Sequence, residues 1–249
     1  GQVNSKDIID LRFPRYRHPE ESILIREPDY IVVKSQLELR IAHKIYGLKN
    51  VSNLYNGVDT TFFNPNVANA RAFLEKVGVE SEHVIMSIAG SISKPEKGLD
   101  LVFKALPLIK EEFPDICYII VGKVKPHKEL EFRTKQKLLN LIDELGLKEN
   151  VKFLGNFLPQ DLARLYKASQ IFLDPSIYGS INSTNLEALA CGTPVICSKS
   201  VGAGEIINRC DAGFVVDRNP KTWSKLVSKL INNEKLAIEM GRRGSRVIL

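Results

Sequence analysis

The sequence contains the apolar stretch Val84-Ile85-Met86-Ser87-Ile88-Ala89, which ends at Gly90. A run of this length and composition is typical of a buried β-strand. The stretch 99–112 that follows has helical spacing, with Leu101, Ala105 and Ile109 on one face. A buried strand followed by an amphipathic helix indicates one βα unit of a parallel sheet.

The same unit repeats along the chain. Further strands are predicted at 116–121, 151–154, 171–173, 194–197 and 214–216, and further helices at 130–145, 161–168, 183–190, 205–208, 220–232 and 236–247. Six strands that alternate with helices predict an α/β fold, a Rossmann-like, doubly wound parallel sheet. The first 55 residues hold one clear strand and its helix, too little to bury a core alone, which favours a fragment or an abbreviated form.

The composition is that of an ordinary globular protein. Its 249 residues are 44% hydrophobic and 26% charged, which excludes a disordered chain. No apolar run approaches the roughly 18–20 residues of a membrane span, and the first residues lack the features of a signal peptide. The four cysteines include no C-x-x-C pair, so they predict neither a disulfide framework nor a metal site, and we expect a cytoplasmic location.

The net charge narrows the choice of partners. Lys and Arg number 35 against 29 Asp and Glu, a formal charge of +6. This mild excess is compatible with an anionic substrate, with peripheral contact at a membrane surface, or with a solvated Lys-rich exterior. The densest basic stretch, 123–137, also carries Glu129 and Glu131 and has no ladder of aromatic residues, so nucleic acid is not predicted as a partner.

Glycines follow three of the predicted strands, at Gly90, Gly122 and Gly155. In an open parallel sheet, ligands bind outside the carboxyl ends of the strands, and glycine permits close approach of the backbone to a ligand. One glycine alone is common in a βα loop, but three in register favour a site at this edge. Lys97 lies in the loop after the first strand, where it either offsets the charge of a phosphate or belongs to a solvated loop.

The stretch 174–194 carries the clearest signal of a binding site. A strand ends, a loop rich in Gly, Ser and Asn follows, and a helix begins near Ser183. The free N–H groups of Ser183 and Thr184 at such a helix start form an anion site. Glu187, one turn later, would be repelled by an anion, so it is expected to face a neutral donor such as a sugar hydroxyl. The spacing from Thr184 to Glu187 also fits a capping box, and this alternative stays open.

Four motifs together carry a resemblance to a known family. They are Asn56-Gly57-Val58-Asp59-Thr60-Thr61-Phe62-Phe63-Asn64-Pro65, Lys97-Gly98-Leu99-Asp100, Leu186-Glu187-Ala188-Leu189-Ala190-Cys191-Gly192-Thr193-Pro194-Val195 and Gly202-Ala203-Gly204-Glu205-Ile206-Ile207. They resemble the N-G-V-D-x-x-x-F-x-P, K-G-x-D, L-E-A-x-A-C-G-T-P-V and G-G-x-x-E-I-I segments of the retaining GT-B glycosyltransferases of family 4, the last one residue short. The resemblance runs from about Glu20 to the end of the chain.

The resemblance implies two Rossmann-like domains around a cleft. Residues 59–249 correspond to the domain that binds the nucleotide-sugar, and residues 1–58 to the end of the acceptor domain with the interdomain linker. Most of the first domain and the final crossover helix would then be absent. The implied activity is the transfer of a sugar from a UDP-sugar or GDP-sugar to a glycan or a lipid-linked acceptor, with retention and with no metal or other cofactor.

The resemblance also assigns roles to individual residues. The candidate catalytic residues are Lys97, which would contact the donor diphosphate, and Glu187, which would hold the ribose hydroxyls. The amides of Ser183 and Thr184 would bind the same phosphates. The remaining donor-binding positions are Gly90, Ser180 and Ile181, together with the loop Gly155-Asn156-Phe157, whose backbone would border the base.

Two positions depart from the family pattern. The first of two family glutamates would stand at Gly179, and a family arginine would stand at Ile92, for which Lys94 is a candidate substitute. The loss of the glutamate favours one alternative, a non-catalytic relative that binds nucleotide-sugars. The other alternative is a sugar-nucleotide epimerase of the GT-B type.

Overall fold

The computed structural model describes residues 29–92, 94–123 and 129–249. The predictions that concern residues 1–28, including the lack of a signal peptide, and residues 124–128 of the basic stretch lie outside these ranges. The strands are β1 (Ile31–Val33), β2 (Val51–Asn53), β3 (Val84–Ser91), β4 (Cys117–Lys123), β5 (Val151–Gly155), β6 (Ile171–Asp174), β7 (Val195–Ser198) and β8 (Gly213–Val216). The α-helices are α1 (Gln36–Lys44), α2 (Ala70–Lys76), α3 (Asp100–Lys110), α4 (Glu129–Glu144), α5 (Pro159–Ala168), α6 (Ser183–Ala190), α7 (Gly204–Cys210), α8 (Pro220–Asn232) and α9 (Glu234–Ile248).

The larger sheet has six parallel strands in the order β5-β4-β3-β6-β7-β8. The chain therefore winds outward from β3 in one direction and then, from β6, in the other. The predicted doubly wound α/β fold is confirmed. The strand order reverses between β3 and β6, which is where open sheets of this type bind ligands.

Alternating residues of the central strand face two separate cores. Val84 and Met86 of β3 belong to the core under α2, α5, α6 and α7, whereas Ile85 belongs to the core under α3, α4 and α8. This alternation is what a strand covered by helices on both faces requires. Trp223 of α8 is fully buried and packs in the second core.

A second, two-stranded sheet stands apart from the first. It pairs β1 with β2 in parallel, with α1 as the crossover between them. Ser35 caps α1, because its hydroxyl accepts a hydrogen bond from the amide of Glu38 at 3.1 Å. The predicted division of the chain at residues 58 and 59 stays a prediction.

Helix α2 has no counterpart among the predicted elements. It has only seven residues, and its N-cap, Asn69, adopts a left-handed backbone with φ +58° and no side-chain cap. Short helices without capping signals are hard to recognise from sequence. The helix contributes the fully buried Leu74 to the core, so tertiary packing stabilises it.

The three glycines at the strand ends have different roles. Gly122 has φ +149°, and a Cβ there would overlap the carbonyl oxygen of Ala89 on the neighbouring strand. Gly122 therefore serves the close packing of β4 on β3, and its predicted place at a ligand edge stays a prediction. Gly90 and Gly155 have open space where a Cβ would stand.

This difference predicts opposite outcomes for two alanine substitutions. Gly122→Ala should lower the free energy of unfolding by about 1–3 kcal/mol, because β3 and β4 must separate to admit the methyl group. Gly90→Ala should change it by no more than about 0.5 kcal/mol. Urea unfolding of the two variants measures both values, and equal destabilisation would contradict the packing role of Gly122.

Candidate functional site

Two loops meet where the strand order reverses. One follows β3 and includes a short 3₁₀ turn, Pro95–Lys97, and the other runs from the end of β6 to the start of α6. The backbone of the two loops is joined directly, because the amide of Ile177 donates to the carbonyl of Glu96 at 2.8 Å. The two segments singled out in the sequence therefore lie side by side at the carboxyl edge of the sheet.

The carboxylate of Asp174 organises the second loop. It is 6% exposed and accepts hydrogen bonds from the amide and the hydroxyl of Ser176, at 3.2 and 2.5 Å. The side-chain amides of Asn182 and Asn185 donate to its other oxygen, at 3.3 and 2.6 Å. One buried carboxylate thus ties the end of β6 to the first turn of α6.

This network leaves the start of α6 without a side-chain cap. Asn182 is the N-cap residue, but it makes no side-chain cap hydrogen bond, and its amide nitrogen donates to Asp174 instead. The first amides of an α-helix have no partner inside the helix, so those of Ser183 and Thr184 are suited to an anion. The capping box from Thr184 to Glu187 is wrong, because the helix begins at Ser183 and Thr184 lies inside its first turn.

Glu187 contacts a tyrosine that the sequence analysis did not identify. The hydroxyl of Tyr166, on α5, donates to Oε2 of Glu187 at 2.9 Å. Burial raises the pKa of Glu187 above its ordinary value of 4.5, while hydrogen bonds from Tyr166 and Ser183 act in the opposite direction. Tyr166 is held at its other end as well, since its carbonyl accepts from the hydroxyl of Thr193 at 2.7 Å.

A cavity of about 320 Å³ opens between the two loops and α1. Its lining residues are Leu37, Glu38, Ile41, Lys94, Glu96, Lys97, Tyr178, Gly179, Ser180 and Asn182. Lys97 is half-buried, and no carboxylate among the described residues forms an ion pair with it. Lys94, the candidate substitute for an arginine, lines the same cavity, whereas Ile92 is buried in the core.

Arg218 lies behind the turn that carries Lys97. Gly98 has φ +62°, and a Cβ there would overlap both the carbonyl oxygen of Pro175 and Nη1 of Arg218. The guanidinium lies 3.7 Å from Asp100, and its Nη1 is buried without a hydrogen-bond partner. Burial lowers the pKa of Arg218, while the charges of Asp100 and Asp174 oppose that shift.

Three contacts, which we call the α1 latch, join the segment 35–56 that contains α1 to the loops and the helix α7 that follow β6 and β7. The amide of Gln36 donates to both carboxylate oxygens of Glu205, at 3.1 and 3.0 Å. Ser35 packs so closely on Gly202 that a Cβ on this glycine would stand 2.8 Å from the Cβ of Ser35. The side-chain amide of Asn56 donates to the carbonyl of Ile181 at 2.8 Å.

The structure brings together only part of the predicted site. Lys97 and Ser180 line the cavity, and Ser183 and Thr184 directly follow its Asn182 on the chain. The side chain of Ile181 is buried in the core. Gly155 is the last residue of the edge strand β5, Asn156 and Phe157 follow it, and none of the three lines the cavity. The Phe157 ring packs edge-on against Phe73, with centroids 5.9 Å apart. Their predicted role at a base stays a prediction.

The residues that the sequence analysis missed are Asp174, Tyr166, Arg218 and, as a structural contact, Glu205. Glu205 lies in one of the recognised motifs, but the sequence does not show that its partner is the amide of Gln36. Tyr166 and Arg218 belong to no recognised motif, because each contacts a residue that is distant in the sequence.

Two further features concern metals and membranes. Among the described side chains, no three His, Cys, Asp or Glu residues group together as metal ligands would. The helices in the described ranges are too short or too polar to cross a membrane. The predicted lack of a metal requirement stays a prediction.

The contact between Tyr166 and Glu187 predicts a measurable titration. The pKa of Glu187 should lie above 4.5 and should rise further in Tyr166→Phe, because the hydrogen bond that favours the carboxylate is lost. Since the folded chain then holds this proton more tightly than the unfolded chain, Glu187 lowers stability as pH rises from 4.5 through its raised pKa. Carbon NMR of the Glu187 carboxyl group during a pH titration measures the shift.

The same substitution should lower the free energy of unfolding at pH 7. The loss is about 1.5–3 kcal/mol, the usual contribution of a hydrogen bond to a charged group. Tyr30→Phe serves as the control, because Tyr30 is 60% exposed. An unchanged pKa of Glu187 in Tyr166→Phe would show that the contact has no effect on this carboxyl group.

Comparisons with known proteins agree with this architecture. The D-inositol 3-phosphate glycosyltransferase of Segniliparus rotundus is 26% identical over 239 residues, which are 94% of this chain and 51% of the relative. The chain thus spans about half the length of the curated relatives it matches. A similar solved structure is sucrose-phosphate synthase from Thermosynechococcus elongatus, with a TM-score of 0.80 and 21% identity, covering 99% of this chain and 61% of that one.

A second solved structure, HepE of Anabaena in complex with UDP-glucose, also has a TM-score of 0.80 and 21% identity, covering 91% of this chain and 60% of that one. At these identities the likeness concerns the fold, and it confirms the predicted GT-B architecture. The family described as glycosyl transferases group 1 matches residues 71–247. That match covers well over half of the chain, and this protein therefore belongs to the glycosyl transferases group 1 family.

Proposed function

We propose that this chain supplies the donor-binding half of a glycosyltransferase. The enzyme would move a sugar from a nucleoside diphosphate sugar to a glycan or a lipid-linked acceptor. The observation that carries the proposal is the uncapped start of α6 beside Lys97, at the point where the strand order reverses. The chain spans about half the length of its curated relatives, so the transfer of the sugar to an acceptor also belongs to the proposal.

The diphosphate binds between the first turn of α6 and the 3₁₀ turn. The amides of Ser183 and Thr184 donate to phosphate oxygens, and the helix dipole adds a favourable contribution. Lys97, with no carboxylate paired to it among the described residues, supplies a compact positive charge. Donors that are already in place stabilise the charge that develops on the leaving diphosphate.

The nucleoside lies on the Glu187 side of the diphosphate. Tyr166 and Ser183 each donate to the Glu187 carboxylate, which has about four acceptor positions and can still accept from ribose hydroxyls. The loop 155–157 borders the base through its backbone. HepE, a structural neighbour, was solved with UDP-glucose, which makes a UDP-sugar the first donor to test.

The transfer proceeds with retention and without a metal ion. The bond between the anomeric carbon and the diphosphate oxygen breaks, and the acceptor hydroxyl forms its new bond on the same face of the sugar. The acceptor proton passes to the leaving diphosphate. Lys97 and the α6 amides neutralise the charge that a metal ion would otherwise offset. The reaction takes place in the cytoplasm, and the charge of +6 suits peripheral contact with a membrane that carries the acceptor.

One position supports a second candidate function. Gly179 lines the cavity without a side chain, and a Cβ there would stand 3.2 Å from the Asn182 amide nitrogen. A chain that lacks a carboxylate at this point could bind a nucleotide-sugar without transferring it. Product analysis of the protein that contains both domains, with a donor and a glycan or lipid acceptor, distinguishes the two, since only an enzyme yields a glycoside.

Binding of the donor is testable on the purified chain. A thermal-shift panel of UDP-, GDP- and ADP-sugars should raise the melting temperature for one nucleotide, because a ligand of the native state stabilises it. Calorimetry of that ligand should then show an affinity about 10- to 100-fold lower in Lys97→Ala, the loss expected when a hydrogen bond to a charged group is removed.

Lys104→Ala is the matched control for Lys97→Ala. Lys104 is an exposed lysine of α3 that pairs with Asp100 at 2.9 Å and does not line the cavity. Its loss should leave the affinity unchanged. If no nucleoside diphosphate or its sugar binds the folded chain, or if both lysine variants bind equally well, the proposed site is wrong.

A further inference from the structure

The cavity beside the proposed diphosphate site has room for a small polar group. Its volume is about 320 Å³, at the lower end of the roughly 300–1,000 Å³ of ligand pockets. Lys97, which lines it, is the residue that the proposed function places at the diphosphate. The sugar is bonded directly to that diphosphate, so it is the part of the donor that lies next to this space.

One wall of this cavity comes from α1 and not from the six-stranded sheet. Leu37, Glu38 and Ile41 face the loop residues across the cavity. Leu37, which is half-buried, offers apolar surface, which suits the C–H face of a sugar ring. Glu38 brings a carboxylate, which suits the hydroxyl groups of a sugar and would be unfavourable against a diphosphate.

The Glu38 carboxylate can accept further hydrogen bonds. Its Oε2 accepts from the amide of Lys34 at 2.8 Å, and its own amide donates to the Ser35 hydroxyl. A carboxylate offers about four lone-pair positions, so one such bond leaves most of them for a ligand. Glu38 is half-buried and forms no ion pair with the described lysines, which keeps its charge available.

The α1 latch holds this carboxylate in a defined place. Ser35, packed on Gly202, and Gln36, bonded through its amide to Glu205, lie three and two residues before Glu38. A group that distinguishes one hydroxyl arrangement from another must be held to within about 0.5 Å, and a helix start fixed at two points meets that need.

We propose that Glu38 recognises hydroxyl groups of the sugar carried by the donor, so that α1 is part of the sugar-specificity site. This inference rests on the proposed function, because it takes the diphosphate to lie at Lys97 and the start of α6. The role is one of binding and selection, and it requires no proton transfer from Glu38.

The test compares a nucleoside diphosphate with its sugar ester. Calorimetry of UDP and UDP-glucose, or of GDP and GDP-mannose if the panel selects GDP, is carried out on the purified chain and on Glu38→Gln. Glutamine still accepts from the Lys34 amide, so the helix start is retained. The affinity for the sugar ester should fall about tenfold, and the affinity for the diphosphate alone should stay unchanged or increase, because a nearby negative charge is removed.

Two further variants make the result specific. Glu144→Gln, an exposed carboxylate at the end of α4, should change neither affinity. Glu38→Asp, which keeps the charge but withdraws it by one methylene, should also weaken the sugar ester selectively, and it replaces Glu38→Gln if that variant fails to melt cooperatively.

The outcomes separate this inference from the proposed function. If neither ligand binds the unaltered chain, the proposed function fails. If both ligands bind it and Glu38→Gln weakens both equally or neither, the role of Glu38 is refuted while the diphosphate site stands. The role is refuted as well if the selective loss appears in Glu96→Gln, the other carboxylate of the cavity, and not in Glu38→Gln.

Discussion

The buried carboxylate of Asp174 determines the shape of the candidate site. A charge removed from water is unfavourable unless it is hydrogen-bonded, and four donors from Ser176, Asn182 and Asn185 satisfy it. These bonds fold the loop after β6 back onto the start of α6. They also draw the Asn182 side chain away from its own helix, so the first amides of α6 stay without a cap. The uncapped start of α6 is therefore a consequence of how one carboxylate is satisfied.

Charges of both signs lie around this corner. Lys94, Glu96 and Lys97 lie on the loop after β3, with Arg218 behind it against Gly98. Glu187 lies one helical turn inside α6, where Tyr166 donates to one of its oxygens. Five residues along an α-helix span about 7.5 Å, which separates Glu187 from Asn182 at the cavity. A ligand that carries both phosphates and hydroxyl groups can use charges of either sign.

Much of the fold follows from local patterns, whereas much of the site does not. Apolar runs such as 84–89 identify the strands, because the cores on both faces of the sheet demand continuous apolar sequence. Lys97, Ser183 and Thr184 were predicted because strand ends and helix starts define the ligand edge. The contacts of Glu187 with Tyr166 and of Gly98 with Arg218 join residues 21 and 120 positions apart. No spacing rule reaches that far, and Gly122 shows that a glycine at a strand end can also be required for close packing of two strands.

The two hydrogen bonds from the Gln36 amide to Glu205 have a thermodynamic consequence. A molecule held between α1 and the loop after β6 touches both sides of that junction. A ligand bound there stabilises the contact between α1 and α7. A more stable contact in turn raises the affinity for the ligand by the same factor. Ligand binding in the cavity therefore stabilises the position of the β1–β2 pair, and that position in turn favours ligand binding. A substitution of Glu205 that weakens this junction should therefore lower the affinity of the chain for a ligand in the cavity, although that ligand does not contact Glu205.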